Sequence, residues 1–311
     1  GVQTCALPIF EAPKWAPGMD LAVAVGTPAQ RKAALTAQVV VINYDNLQWL
    51  AEQKLDFDGV VFDELTRLKN PSGARFKALA KVLDAPIRWG LTGTVPKEDY
   101  AQISILCSLG PVVGKLKASE LQEAGHLAQC HVNILQLEDY VEYKTYQQEL
   151  KYLLENQERL IHISKLVEKI RQNGNTLVLV DRVTPGKELT KLIDDAVFVS
   201  GSTKAASRKE EYDQVATSDK KVIVATYGVA AVGINIPRIF NLVLVEPGKS
   251  FVRVIQSIGR GIRKAEDKDH VEIWDITSTC KFAKRHLTAR KKFYNEAQYP
   301  FTIEKDKWQI K

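Results

Sequence analysis

The apolar residues of this chain come in short unbroken runs, and that restricts its fold more than any other feature. Thr176–Val180, Lys221–Ala225 and Asn241–Val245 are apolar at nearly every position. A strand with one face in water alternates apolar and polar residues. A strand buried on both faces does not, and burial on both faces marks a parallel sheet covered by helices. Helix-like stretches at Gly186–Ile193, Lys204–Ala216 and Phe251–Ile262 are interspersed with such runs. Further strands are expected at Ala196–Val199 and Val271–Trp274. The same alternation occupies the first part of the chain, with strands at Leu21–Val25, Gln38–Asn43, Gly59–Asp63, Ile87–Leu91 and His131–Leu137. Helices are expected after Thr27, which can cap with Pro28 at the first helical position, and over Asp45–Glu52 and Ala74–Leu83. Alternating strands and helices predict an α/β protein.

At 311 residues the chain has room for two domains. The polar stretch Glu138–Glu142 marks the expected boundary, and Tyr143–Arg171 reads as one long helix. The predicted layout is a first domain over 10–139, a second over 140–280, and a basic C-terminal helix and tail over 281–311. Residues 1–9 begin without Met and read as a non-native leader.

Composition excludes several classes. Cys5, Cys107, Cys130 and Cys280 show no CxxC or Cys/His spacing, which argues against structural zinc and a disulfide framework and suits a reducing cytoplasm. No apolar run approaches a membrane span. The net charge of +6 is concentrated. Residues 281–311 hold nine Lys/Arg and three Asp/Glu, so the first 280 residues are balanced. Phe282, Phe293, Tyr294, Tyr299 and Trp308 are interleaved with those cations. This pattern suits a phosphate backbone and equally suits an amphipathic helix packed on the last domain.

Three stretches carry chemistry. Gly59–Phe62 runs into the adjacent carboxylates Asp63 and Glu64, placing them where open α/β sheets hold ligands. An Asp there can hold Mg²⁺ and a Glu can polarise water. The run Ile223–Pro237 ends a strand at Thr226 and continues into a glycine-bearing loop able to approach a phosphate. In Gln256-Ser257-Ile258-Gly259-Arg260-Gly261-Ile262-Arg263, two arginines three apart share a helix face and offer planar forks of donors to a polyphosphate.

In order and spacing these stretches resemble superfamily 2 helicases and translocases. Asp63-Glu64 resembles motif II and Gly90-Leu91-Thr92-Gly93-Thr94 motif III. Ile223–Pro237 resembles motif V and Gln256–Arg263 motif VI. Tyr146–Leu150, Val199–Gly201 and Ala225–Val229 are most similar to the bacteriophage UvsW type of branch-migration helicase. Asp63–Asn70 and Asn43–Asp45 lean toward the Swi/Snf translocases. The resemblance implies two RecA-like parallel-sheet domains in tandem, the first incomplete at its N-terminus.

It also implies roles. Mg-ATP would sit between the domains, with Asp63 positioning Mg²⁺ and Glu64 activating water. Arg260 and Arg263 would reach the γ-phosphate beside Gln256, Gly233 and Asn235. Thr92, Gly93 and Thr94 would couple ATP state to movement. Asn43, Tyr44, Thr226 and Tyr227 would touch nucleic acid. The implied partner is duplex, forked or branched DNA, met by a monomer in a bacterial or phage-infected cytoplasm, alongside recombination, repair or replication proteins.

Departures accompany the resemblance. Thr66 stands where motif II often has His or Asp, and Asn235 where many relatives carry an acid. No G-x-x-x-x-G-K-[ST] occurs, so the chain is expected to be a fragment lacking its phosphate loop and inactive alone. The alternatives are a Swi/Snf-like duplex translocase that does not separate strands, and a DNA-binding protein that does not hydrolyse ATP.

Overall fold

The computed structural model describes residues 16–63, 65, 77–78, 84–92, 99–203, 205–229, 236, 238–248, 258, 265 and 267–309. The chain divides into two compact units, Gly1–Lys115 and Leu116–Lys311.

The first unit opens with β1 (Leu21–Val23), α1 (Pro28–Ala34) and β2 (Val39–Val41). Thr27 caps α1 as expected: its hydroxyl accepts from the Gln30 amide, and Gln30 reaches back to the Thr27 amide. A single 3₁₀ turn, Tyr44–Asn46, leads into α2 (Leu47–Leu50). Then come β3 (Gly59–Phe62), β4 (Ile87–Gly90) and α3 (Asp99–Leu109). The helix expected at Ala74–Leu83 and the one at Phe251–Ile262 fall almost wholly outside the described residues.

Among the described residues the unit's strands form two parallel pairs, β1–β2 and β3–β4, rather than one covered sheet. Among the described residues, one side of β3–β4 meets a core. Phe62 packs with Leu47, Leu50, Leu65 and Ile105. Val61 and Trp89, register partners facing the other way, are 59% and 64% exposed. The expectation that Gly59–Phe62 is buried on both faces is therefore not met.

The second unit is built on a seven-stranded sheet in which every pairing is parallel. Its strands are β5 (Gln129–Leu137), β6 (Thr176–Val180), β7 (Val197–Val199), β8 (Val222–Thr226), β9 (Asn241–Val245), β10 (His270–Ser278) and β11 (Phe301–Asp306). Their order is β11-β5-β10-β9-β6-β8-β7. The central strands β6 and β9 are buried at every residue, which is why they read as unbroken apolar runs. One face packs Leu177, Leu179, Ile223 and Leu244 against Val215, Leu287 and Tyr294. The other packs Val178, Val224, Val243 and Val245 against Leu160, Ile163, Val167 and Leu189.

The helices are α4 (Ala118–Glu123), α5 (Tyr146–Glu155), α6 (Gln157–Ile170), α7 (Val183–Lys191), α8 (Ala205–Ala216) and α9 (Lys281–Glu296). The single helix predicted over Tyr143–Arg171 is two. Asn156 takes an extended ψ of 118°, and its side chain caps α6 by accepting from the Arg159 amide at 2.9 Å. On α7, Gly186 permits close approach to the sheet: a Cβ there would lie 2.5 Å from Phe198 and 2.8 Å from Val180.

Two boundaries differ from the sequence reading. β5, expected in the first domain, lies in the second unit's sheet between β10 and β11. The units therefore divide between Lys115 and Leu116, not at Glu138–Glu142. Residues 281–311 are no separate tail. Helix α9 covers a sheet face through Leu287 and Tyr294, and β11 adds an edge strand. Three of that strand's six residues are charged, as befits an edge, which hid it from hydropathy.

Two buried arginines tie this unit together. Arg159, fully buried, donates to Asp139 at 3.4 Å, Glu246 at 2.5 Å and the Leu153 carbonyl at 2.8 Å. Arg290 forms a two-pronged bond to Asp275, both arms at 2.8 Å, and donates to the Gly248 carbonyl at 2.6 Å. The Tyr294 hydroxyl donates to the same Asp275 at 2.7 Å, and burial pushes its pKa well above the usual phenol value. Removing one partner strands the other's charge in the core. Arg290→Leu is expected to lower the unfolding free energy by about 3–5 kcal/mol, read by urea denaturation.

Candidate functional site

In a parallel sheet the backbone groups at the C-terminal strand ends are the last of the ladder, and the loops leaving them carry function. The predicted residues within the described part of the chain lie at such ends.

In the first unit Asp63 follows β3 directly and is exposed, and Thr92 follows β4. Two hydrogen bonds extend the ladder beyond the strands. The Leu91 amide donates to the Phe62 carbonyl at 2.8 Å, and the Leu65 amide to the Leu91 carbonyl at 3.2 Å. The segments resembling motifs II and III thus lie side by side. Gly90 lets two leucines pack close on the strand: a Cβ would stand 2.5 Å from a Leu65 methyl and 2.6 Å from a Leu109 methyl, so both side chains would have to shift. The Tyr44 hydroxyl donates to the Asp63 carbonyl at 2.5 Å, fixing the backbone behind the carboxylate. Asn43 caps the 3₁₀ turn by accepting from the Asn46 amide at 3.1 Å.

An exposed carboxylate at a strand tip fits Mg²⁺ held mainly by phosphate and water. Among the described residues no group of three or more His, Cys, Asp or Glu could hold a metal by itself. Glu64, Gly93 and Thr94 lie outside the described residues.

In the second unit Thr226 ends β8, opposite Val180, and is partly exposed. Its neighbour Tyr227 differs from expectation. It is 1% exposed, its ring joins the sheet core, and its hydroxyl donates to the Val245 carbonyl at 3.4 Å. A side chain so placed packs the core and offers no surface to nucleic acid. Gly228 is exposed, with nothing within 4 Å of where a Cβ would be. Gly233, Asn235, Gln256, Arg260 and Arg263 lie outside the described residues.

The sequence marks a loop at Gly248 but not the buried glutamate that shapes the turn after β9. Glu246 is buried in a left-handed conformation at φ +43°, and Gly248 follows at φ +67°. A left-handed non-glycine residue is strained, and here the surroundings hold it. Arg159 grips the Glu246 carboxylate, and Arg290 grips the Gly248 carbonyl. The segment after this turn leads to Gln256–Arg263. The available signal was a lone Glu ending the run Asn241–Val245. For Arg290 it was spacing, since Ala283, Leu287, Arg290 and Tyr294 form one helical stripe.

Comparison with known proteins agrees with this geometry. Residues 156–265 match the helicase conserved C-terminal domain family. The chain is 27% identical over 217 residues to the ATP-dependent DNA helicase uvsW of Enterobacteria phage T4, covering 66% of this chain and 43% of that protein. It spans less than half of that relative. Among solved structures, T4 UvsW superposes over 93% of this chain and 62% of its own, with a TM-score of 0.51 and 21% identity. An ATP-dependent Type ISP restriction-modification enzyme, LlaBIII, bound to DNA, superposes over 86% of this chain and 23% of its own. Its TM-score is 0.62 and its identity 15%. The resemblance to superfamily 2 helicases of the UvsW type holds, and the fold is that of RecA-like helicase domains.

The Glu246 turn carries a pH signature. Burial raises its carboxyl to about 7, against the pull of Arg159 and Arg290. With all five groups charged, Arg159, Arg290, Asp139, Asp275 and Glu246 sum to one negative charge, so a proton on Glu246 neutralises the cluster. A carboxyl raised on folding stabilises most when protonated in the native state, below its unfolded value, and loses that contribution as pH rises through 7. The unfolding free energy of the wild type relative to Glu246→Gln is therefore expected to fall between about pH 5 and about pH 8, by urea denaturation at each pH.

Proposed function

We propose that this chain, similar over 66% of its length to a superfamily 2 helicase of the UvsW type, belongs to an ATP-dependent translocase or helicase on duplex, forked or branched DNA. Asp63 positions Mg²⁺ and Glu64 polarises the attacking water. Arg260 and Arg263, with Gln256, Gly233 and Asn235 near them, neutralise the charge that develops on the γ-phosphate. Thr92, Gly93 and Thr94 relay nucleotide state, and Asn43, Tyr44 and Thr226 contact the phosphate backbone.

The observation that carries this reading is the shared address of Asp63, Thr92 and Thr226. Each stands at the C-terminal end of a parallel strand. The match to the helicase C-terminal domain spans Thr226 and the segment Gln256–Arg263. The coupling logic is that of other nucleotide switches: contacts to the γ-phosphate exist before hydrolysis and vanish after it, and the grip on DNA changes with them.

The chain contains no G-x-x-x-x-G-K-[ST]. Hydrolysis by these 311 residues alone is therefore expected to be at background. In a protein that joins these residues to a G-x-x-x-x-G-K-[ST] loop, forked DNA should stimulate ATP hydrolysis. Glu64→Gln should lower kcat by about 100-fold or more while DNA binding persists. Arg260→Ala should lower it about 1,000-fold. Hydrolysis that survives Glu64→Gln would remove that residue as the water-activating group. Release of a strand from a fork, against none on linear duplex, separates unwinding from Swi/Snf-like translocation.

A further inference from the structure

The charge excess of the chain sits on one helix face. Helix α9 buries Ala283, Leu287, Arg290 and Tyr294 against the sheet. Its other side presents Lys281, Lys284, Arg285 and Lys292 exposed, with Lys291 partly so. Thr288 and Asn295 complete the same stripe, because 281, 284/285, 288, 291/292 and 295 recur at helical spacing. No Asp or Glu occurs between Lys281 and Asn295.

The exposed cations of α9 are uncompensated. None of Lys281, Lys284, Arg285, Lys291 or Lys292 forms an ion pair among the described residues. Arg290, the sixth cation of the helix, is neutralised by Asp275. The acid nearest the helix start, Glu149, is consumed as a cap and accepts from the Phe282 and Ala283 amides at 3.0 and 2.8 Å. The half-buried Phe282 ring lies 6.0 Å from the Lys281 ammonium and 5.8 Å from the Arg285 guanidinium, which holds both over its faces.

Helix α6, on the opposite sheet face, differs. Its exposed side mixes Glu158 and Lys165 with Glu168 and Lys169, the usual composition of a face that merely meets water. The stripe on α9 also begins at the functional edge of the sheet. Arg290 holds the Gly248 carbonyl, and His286 packs edge-on against Tyr146 at 5.0 Å. The whole helix lies outside residues 156–265, the part matched by the helicase family.

We infer that the outward face of α9 is a duplex DNA contact surface, with Lys281, Lys284, Arg285, Lys291 and Lys292 set against the phosphate backbone. It rests on the proposed function and adds to it a site outside the shared motifs. From Lys281 to Lys292 the helix rises about 16 Å, a length over which one strand of duplex DNA carries about five phosphate charges. Five cations in one row match that density without reading sequence. The surface supplies grip and salt dependence rather than specificity.

The test is fluorescence anisotropy of a labelled linear DNA duplex titrated with the chain at several salt concentrations. The triple variant Lys284→Gln/Arg285→Gln/Lys292→Gln is compared with the charge-matched control Lys165→Gln/Lys169→Gln/Lys187→Gln, whose side chains are also exposed. Each releases three charges, so the first should bind more weakly, and its slope of log affinity against log salt should shrink by about 3. The control should keep the wild-type slope, as should Lys284→Arg/Lys292→Arg. Thermal melts should match across all four proteins. A wild-type slope in the first variant, or an equal loss in the control, overturns the α9 surface and leaves the proposed function standing. A wild type that binds no duplex at low salt overturns both.

Discussion

Arg159 has no contact with water, yet three segments of the second unit meet on its guanidinium. It joins Asp139 after β5, Glu246 after β9 and the last turn of α5, and Asp139 in turn accepts from Ser278, Tyr152 and Trp308. A buried guanidinium is tolerable only when nearly all its donors are used. That requirement fixes where the C-terminal strand ends stand relative to one another. Arg290 repeats the arrangement from the other sheet face, between Asp275 and the Gly248 carbonyl. The strained turn at Glu246 is thus held from both sides, and the segment that leaves it starts from a fixed point.

Much of the second unit was legible because its physics is local in sequence. A strand buried on both faces must be apolar throughout, and Thr176–Val180 and Asn241–Val245 are. Thr27-Pro28 announces a helix start by chemistry alone. What stayed hidden depends on partners far away in the chain. β11 carries Glu304, Lys305 and Asp306 and becomes a strand because β5 offers it a free edge. Asn156 interrupts a continuous amphipathic pattern because its side chain satisfies the next helix better than its backbone continues the last. Tyr227 sits in a motif that suggests contact with nucleic acid, but its ring fills the core beside Ile223 and Leu244.

The candidate site was legible in a different way. Asp63 and Thr92 were found by motif, and the parallel pairing of β3 with β4 then brought their segments together. The buried charges behind the second unit's loops were not found, since a single Glu or Arg in a sequence does not reveal whether it faces water. The division at Lys115 and Leu116 was missed for a related reason: polar Glu138–Glu142 looks like a linker, but Asp139 is buried and bonded to Arg159.

The proposed function requires nucleotide and DNA to change each other's affinity. Binding linkage tests it most directly. A fluorescent ATP analogue with Mg²⁺ is titrated into a protein that joins these residues to a phosphate loop, with and without forked DNA, and the DNA is titrated with and without nucleotide. The account predicts that each ligand changes the other's affinity by the same factor, about 5-fold or more. Affinities that are independent of one another would contradict it.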